Sequence, residues 1–268
     1  MKKSILLIVL VLMASFAFAA GESEKSNVVT VAASITPHAE ILTECIPLMK
    51  EKGYELQIVE FTDYVLPNNV VESGEIDANY FQHLPYMDVF NEEQGTHLVS
   101  IAAIHYEPFG IYPGIESDLN NISKGAKIAV PNDTTNEARA LLLLQDNGII
   151  KLKADAGLTA TKLDIIDNPY DVDIIEMEAA QIARIVDEMA FIVLNGNYAL
   201  QAGLNVLTDA IAYETSESQG ATTYANILCV KEGNEAHEGV NALKEILESD
   251  AIEAFMNGKY EGAVIPLK

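Results

Sequence analysis

The chain has 268 residues, 40 of them acidic and 16 basic, for a formal net charge of −24. That balance excludes nucleic acid and anionic membrane surfaces as partners, because each is recognised by a basic patch. After the first 20 residues, no apolar stretch reaches the roughly 20 residues a membrane span needs.

The opening MKKSILLIVLVLMASFAFAA sets two lysines before a short apolar run and then small residues. This is the pattern of a secretory signal peptide over residues 1–20, with cleavage expected after Ala19 or Ala20. The protein is therefore expected to be exported, to the periplasm or the exterior of the cell envelope. The only cysteines, Cys45 and Cys229, lie far from the cleavage region, so no lipid anchor on a new N-terminal cysteine is expected. About 248 residues remain, enough for one large or two medium domains.

From there β-rich and helical runs alternate. NVVTVAAS (27–34) reads as a strand, HAEILTECIPLMKEKG (38–53) as an amphipathic helix closed by glycine, and YELQIVEFT (54–62) as a strand. LPNNVVESGEID (66–77) predicts a short helix, ANYF a short strand, and LPYMDVFNEEQG (84–95) another helix. THLVSIAAIHYEPFGIYP (96–113) is a long β-rich passage that carries the chain into a second lobe. There the alternation restarts: KIAVPND (127–133) strand, TTNEARALLLLQDNG helix, TKLDIID (161–167) strand, EAAQIARIVDE (178–188) helix, MAFIVLNGNYALQAG (189–203) strand then helix. TTYANILCVKEG (222–233) is a β-run suited to a return crossing, and HEGVNALKEILESDAIEAFMNG (237–258) a helix broken near Ser249–Asp250. Repeated β-α units predict an α/β fold. Two such lobes joined by crossings predict a ligand cleft between them. The expected division is 28–110 for the first part of lobe 1, 111–222 for lobe 2, and 223–268 for the return to lobe 1 and the C-terminal helices.

No dinucleotide, phosphate-loop, nucleophile-elbow, zincin or CxxC signature is present, so the chain is not expected to be an enzyme and no cofactor is expected. The five histidines lack metal-ligand spacing. A metal assembled across the lobes would draw on His38, His83 and His105.

Three stretches suggest a binding site instead. In PNDTTNEAR, Thr134 and Glu137 have the spacing of a capping box, with Thr135 or Asn136 as alternative caps. The free N–H groups of that helix end then face the mouth of the preceding strand, where open α/β sheets bind ligands. Arg139 follows on the next turn and is one of only two arginines in the chain. Its guanidinium fork could hold a ligand carboxylate bidentately or pair with one of the many acidic side chains. The segment from Glu60 to Phe90 concentrates Phe61, Tyr64, Tyr80, Phe81, His83, Tyr86 and Phe90. Phe61 and Phe90 read as core. The FQHLPY cluster at a strand-to-helix junction reads as a pocket wall suited to an apolar or thioether side chain. In IVLNGNYA the strand runs into Asn195, Gly196 and Asn197, whose carboxamides can serve a zwitterion or simply make a turn. Asn226 interrupts a crossing strand, where a buried amide needs a partner.

Taken together, VEFTDYVLPNNVVESGEIDANYFQHLPYMDVFN, AVPNDTTNEARALLLLQDNGIIKLK, LNGNYALQAGLN and the closing KYEGAVIP resemble the NlpA/MetQ family of methionine-binding proteins. The resemblance covers residues 28 to 268. It implies a two-lobed periplasmic-binding-protein fold, a monomer, that captures L-methionine or a similar small amino acid and delivers it to the membrane permease of an ABC importer. By the same resemblance Arg139 would hold the ligand carboxylate, and Asn195 and Asn226 would fix the amino-acid backbone. Tyr64, Phe81, His83 and Tyr86 would enclose the side chain. Departures are AFAAGES in place of the family's usual lipidation cysteine, and the long YETSESQGATTYANIL loop beside the expected cleft. That loop leaves open another small amino acid, a methionyl dipeptide or an organic acid as ligand. An enzyme or a metal-binding protein on the same scaffold are the alternatives of a different class.

Overall fold

The computed structural model describes residues 27–215 and 223–267. The signal peptide and most of the TSESQGATT loop lie outside the described residues.

The first lobe begins with β1 (Val28–Ser34), a helical turn over Ile35–Ala39, and α1 (Glu40–Glu51). It continues through β2 (Glu55–Phe61), α2 (Leu66–Glu72), β3 (Ala78–His83), α3 (Leu84–Gln94) and β4 (Leu98–Tyr106). β1 pairs in parallel with β2 and β3, as β-α-β connections require. α3 stops at Gly95, whose φ of 68° makes the left-handed turn that an L side chain resists. Buried apolar side chains explain the parallel strands: Val29, Val31, Ala32 and Ala33 of β1 are inaccessible, and all six residues of β3 are buried.

Residues 107–109 then cross to a second sheet, formed by β5 (Gly110–Pro113), β6 (Lys127–Pro131), β9 (Asp173–Met177), β10 (Phe191–Leu194) and β11 (Ala212–Tyr213). Between these strands lie α4 (Thr134–Asp146), a small hairpin of β7 (Lys151–Leu152) and β8 (Ile165–Asp167), α5 (Ala179–Ile182), α6 (Gly196–Gln201) and α7 (Val206–Asp209). The strand order is β11-β5-β10-β6-β9, with β6 parallel to both neighbours. The chain returns through β12 (Asn226–Lys231), which enters the first sheet antiparallel between β3 and β4. It closes with α8 (Glu238–Leu247), α9 (Asp250–Tyr260) and β13 (Ile265–Pro266), giving a first sheet ordered β13-β4-β12-β3-β1-β2. Val240, Leu243, Ile246 and Leu247 of α8 are buried, each contributing roughly 1.5–3 kcal/mol of burial. Ser249 ends that helix run by capping α9.

Three expectations are corrected. The 178–188 segment keeps only one α-turn before a tighter turn, because Ile185 (φ −111°, ψ 16°) leaves helical geometry. The 161–167 strand is shortened to Ile165–Asp167, since Thr161 and Asp164 cap each other in a turn of their own. The cap of α4 is Asp133, one residue before the expected Thr134: its carboxylate accepts the Asn136 N–H at 3.1 Å. Thr134 instead donates to Glu93 across the lobes at 2.9 Å, and Glu137 accepts the N–H of Lys162 at 3.0 Å. A carboxylate in β-region backbone (φ −80°, ψ 146°) serves the N–H groups ahead of it better than the hydroxyl one place along. Both cysteines are free and buried, Cys45 in the core under α1 and Cys229 among Met87 and Phe90.

Candidate functional site

The strands of both sheets deliver polar side chains to one internal pocket. His83 ends β3 and caps α3, its Nδ1 accepting the Tyr86 N–H at 3.2 Å. That acceptor role fixes the proton on Nε2, which donates to Asn136 Oδ1 at 3.1 Å. Asn195 ends β10 and caps α6 by position, and its Nδ2 donates to the same Asn136 oxygen at 2.8 Å. Asn136 is held in turn by Asp133, 2.8 Å from Nδ2. The first turn of α4 thus links β3 of one lobe to β10 of the other.

Arg139, on the next turn, is 4% exposed, and its Nε and Nη2 are engaged within the chain. Nε donates to Glu214 Oε1 at 2.9 Å and Nη2 to Oε2 at 2.6 Å, while Nη2 also donates to the Glu107 carbonyl at 3.0 Å. Its guanidinium carbon lies 4.2 Å from the Tyr224 ring centre and 4.7 Å from that of Phe109. The Glu214 carboxylate also accepts from Tyr106 Oη at 2.6 Å and the Phe109 N–H at 3.1 Å. Burial alone would raise the Glu214 pKa, but the adjacent arginine and these donors hold it below the usual carboxylate value. Of the two alternatives open for Arg139, the pairing with an acidic side chain is present, with Glu214, and the residue also lines the pocket.

The pocket, about 340 Å³ of space not filled by atoms with adjoining open solvent included, is bounded by all seven residues singled out from the sequence: Tyr64, Phe81, His83, Tyr86, Arg139, Asn195 and Asn226. At one end Tyr64, Phe81 and Tyr86 pack ring against ring, with centres 5.7–6.2 Å apart. Tyr64 also donates to Asn197 Oδ1 at 2.5 Å, and Tyr198 of the second lobe donates to the Thr62 carbonyl at 3.1 Å. These bonds join the lobes across the mouth. Two buried polar atoms of residues lining the pocket have no hydrogen-bond partner, Asn195 Oδ1 and Asn197 Nδ2. One is an acceptor and the other a donor, and buried groups of this kind require partners.

The sequence reading missed Glu107, Asn136, Asn197 as a wall residue, and Glu214. Asn197 was named only as one of two carboxamides beside a glycine. For Glu107 the available signal was a lone acidic residue in an otherwise apolar β-passage, IHYEPFG. His38 and His105 come together, their ring centres 5.0 Å apart, but His83 is engaged elsewhere. The third member of that cluster is Glu107, with ligating atoms of the trio all within 4.8 Å of one another. Burial pushes His38 down to about 4, His105 to about 3 and His83 to about 3, the last aided by the Arg139 charge.

Two α/β lobes, two crossings and a polar-and-aromatic pocket between them have the architecture of the substrate-binding proteins that serve ABC importers. Comparison with known proteins is more specific. The chain belongs to the NlpA lipoprotein family, whose model matches residues 29–268. It is 39% identical to the methionine-binding lipoprotein MetQ of Bacillus subtilis over 92% of this chain and 90% of that one. Among solved structures, a Ruminococcus gnavus chain is 62% identical with a TM-score of 0.89, covering 90% of this chain and all of that one. A nutrient-binding protein from Burkholderia cenocepacia, bound to methionine, is 38% identical with a TM-score of 0.86, covering 90% and 100%. Among the described residues no helix is long and apolar enough to cross a membrane.

Proposed function

We propose that this protein captures L-methionine outside the cytoplasm and hands it to the permease of an ABC importer, without performing chemistry on it. One observation carries the reading: an aromatic wall of Tyr64, Phe81 and Tyr86 shares one pocket with two unpartnered buried polar atoms, Asn195 Oδ1 and Asn197 Nδ2. The ligand α-carboxylate would meet the remaining Nη1 edge of Arg139 and the Nδ2 of Asn197. Asn195 Oδ1 and Asn226 would fix the backbone, and Tyr64, Phe81, His83 and Tyr86 would surround the thioether. The names of the relatives, methionine-binding and bound to methionine, support that choice of side chain.

Residues 28–110 and 223–268 would form one lobe and 111–222 the other, opening about the two crossings to admit ligand. Ligand favours the closed form only through its higher affinity for that form. The test is a calorimetric titration of protein unfolded, freed of carried-over ligand and refolded. The panel comprises L- and D-methionine, selenomethionine, the other natural amino acids and methionyl dipeptides. Stoichiometric binding of L-methionine with weak response to leucine and glutamine is expected. Silence toward methionine in demonstrably refolded protein would refute the assignment.

A further inference from the structure

Three buried carboxamides join α2 to β3. Asn68 belongs to the first turn of α2, and Asn79 and Gln82 to β3, with Gln82 set between Phe81 and His83 of the pocket wall. Asn68 and Asn79 are inaccessible and Gln82 is 3% exposed. Asn68 and Gln82 form a reciprocal two-point pair: Gln82 Nε2 donates to Asn68 Oδ1 at 2.7 Å, and Asn68 Nδ2 donates to Gln82 Oε1 at 2.9 Å. Asn79 Nδ2 donates to the same Asn68 oxygen at 2.9 Å and to the Pro67 carbonyl at 3.3 Å. Asn79 Oδ1 accepts from Gln82 Nε2 at 3.0 Å. Each of the three oxygens is therefore an acceptor, and each of the three nitrogens a donor, inside the group.

A buried amide is costly unless paired, and a fully paired network adds little net stability over an apolar contact of the same shape. What it adds is direction. Apolar packing is non-directional, whereas a two-point pair fixes both the spacing of α2 from β3 and its rotation.

The segment placed by the start of α2 is the lip 62–65, which belongs to neither β2 nor α2. Asp63 Oδ1 accepts the N–H groups of Val65 and Leu66, both at 2.8 Å, and so ties the lip to the helix. Val65 and Leu66 are 51% and 50% exposed, so burial does little to hold the lip in place. Yet the lip carries contacts to the second lobe. Tyr64 Oη donates to Asn197 Oδ1 at 2.5 Å, and the Thr62 carbonyl accepts from Tyr198 Oη at 3.1 Å. The Tyr64 and Tyr198 ring centres lie 5.0 Å apart, and the Tyr64 carbonyl accepts from Tyr86 Oη at 3.1 Å. Each of these contacts depends on where α2 begins.

We propose that Asn68, Asn79 and Gln82 are positioning residues for the lip: they set Tyr64 against the second lobe and so shape the aromatic wall before ligand arrives. None of the three is assigned a bond to the ligand. The inference rests on the reading of the pocket as a methionine site and adds what preorganises one of its walls. The competing role is structural alone, with the network holding α2 for stability.

Two readouts separate these roles. The variant Asn68→Leu/Asn79→Leu/Gln82→Met replaces the network by apolar side chains of similar shape, which should leave Tm within about 5 °C of wild type. Its affinity for L-methionine should fall by at least about tenfold, the scale of ordering a loop side chain on binding. In a Tyr64→Ala background the same triple change should cost less than about threefold, because the residue it acts through is gone. Hydrogen exchange of the ligand-free proteins gives the second readout. Amides of residues 62–66 should exchange at least about tenfold faster in the triple variant, while those of β1 keep wild-type rates. Gln82→Met alone keeps the Asn79 bonds to Asn68 and Pro67; it should show the same pattern at smaller size and serves if the triple variant does not fold. Wild-type exchange in the lip would overturn the proposal, as would a methionine loss equally large with and without Tyr64. A fall in Tm with every region exchanging faster would overturn it in favour of a purely structural network. Wild-type protein silent toward methionine would refute the ligand reading instead, and exchange of residues 62–66 would still decide whether the network positions the lip.

Discussion

The Arg139–Glu214 pair makes the sharpest energetic prediction. Both side chains are nearly inaccessible, 4% and 12% exposed, and they share two charge-assisted hydrogen bonds of 2.9 and 2.6 Å. Replacing Arg139 with Met keeps much of the packing on Tyr224 and Phe109 but leaves Glu214 with only Tyr106 Oη and the Phe109 N–H. Removing one partner of a buried pair costs about 3–5 kcal/mol, chiefly because the other charge is left uncompensated. For a chain of this size that is a fall of roughly 6–20 °C in Tm. Glu214→Gln should be destabilising for the mirror reason, with Arg139 keeping its bond to the Glu107 carbonyl. The double variant Arg139→Met/Glu214→Gln removes both charges, and its loss should fall short of the sum of the single losses by at least about 2 kcal/mol. Urea unfolding of the four ligand-free proteins, followed by circular dichroism with refolding controls, closes the cycle. Additive losses would refute the claim that Glu214 and Arg139 depend on one another.

Further expectations concern the pocket, acid and the thiols. Phe81→Ala should weaken L-methionine about 30-fold more than it weakens alanine, since only the longer side chain reaches the aromatic wall; equal losses would put Phe81 outside the side-chain pocket. His38, His83 and His105 have folded pKa values of about 4, 3 and 3, so only the unfolded chain takes up their protons as the pH drops below about 6.5. Their stabilisation is thus fully present above that value and is lost on acidification, by about 1.4 kcal/mol per ring between pH 7.5 and 5.5. Glu107 and Asp133, whose pKa values burial raises, act in the opposite sense and offset part of the loss. Urea-derived stabilities across that range should fall, and His83→Asn should reduce the fall by about one third; a flat profile would contradict the neutral-histidine assignment. Burial pushes the Cys45 thiol up to about 12 and the Cys229 thiol higher still. Folded protein should therefore react slowly with Ellman's reagent, and reductant should leave Tm unchanged.

The fold was legible because its parallel strands and amphipathic helices are local patterns. NVVTVAAS and HAEILTECIPLMKEKG differ in period, and each forms the element that its period predicts. The break between α8 and α9 was readable from Ser249 for the same reason. Errors arose where several short-range solutions compete: five consecutive capping-type residues, Asn132 to Asn136, follow Pro131, and the winner, Asp133, is selected by backbone geometry that residue type does not encode. At the site, residues attached to strand ends were identifiable by position. Glu107 and Glu214 were not, because their significance depends on partners 32 and 75 residues away along the chain. In a chain with 40 carboxylates, no local property separates Glu214 from the rest, and the one signal for Glu107 was its apolar surroundings in IHYEPFG.

Those two residues also tie the pocket to the crossings between the lobes. The first crossing contributes Glu107 and Phe109 to Arg139, and the return crossing contributes Glu214 and Tyr224. Arg139 is thus bonded to both segments about which the lobes would move, while standing in the wall of the pocket. Glu107 has the same double attachment, bonded to His105 of the first sheet and to the first turn of α6 behind the second. A ligand that adds charge-assisted bonds to either residue stabilises one arrangement of the crossings. In the proposed binding mode the charged end of the ligand would act on these segments, whereas its side chain would meet the aromatic wall carried mainly by the first lobe. On this geometry, closure should respond to the zwitterionic end of the ligand and selectivity among amino acids to the aromatic end. Small amino acids would then close the protein weakly, limited by the side-chain contacts they fail to make.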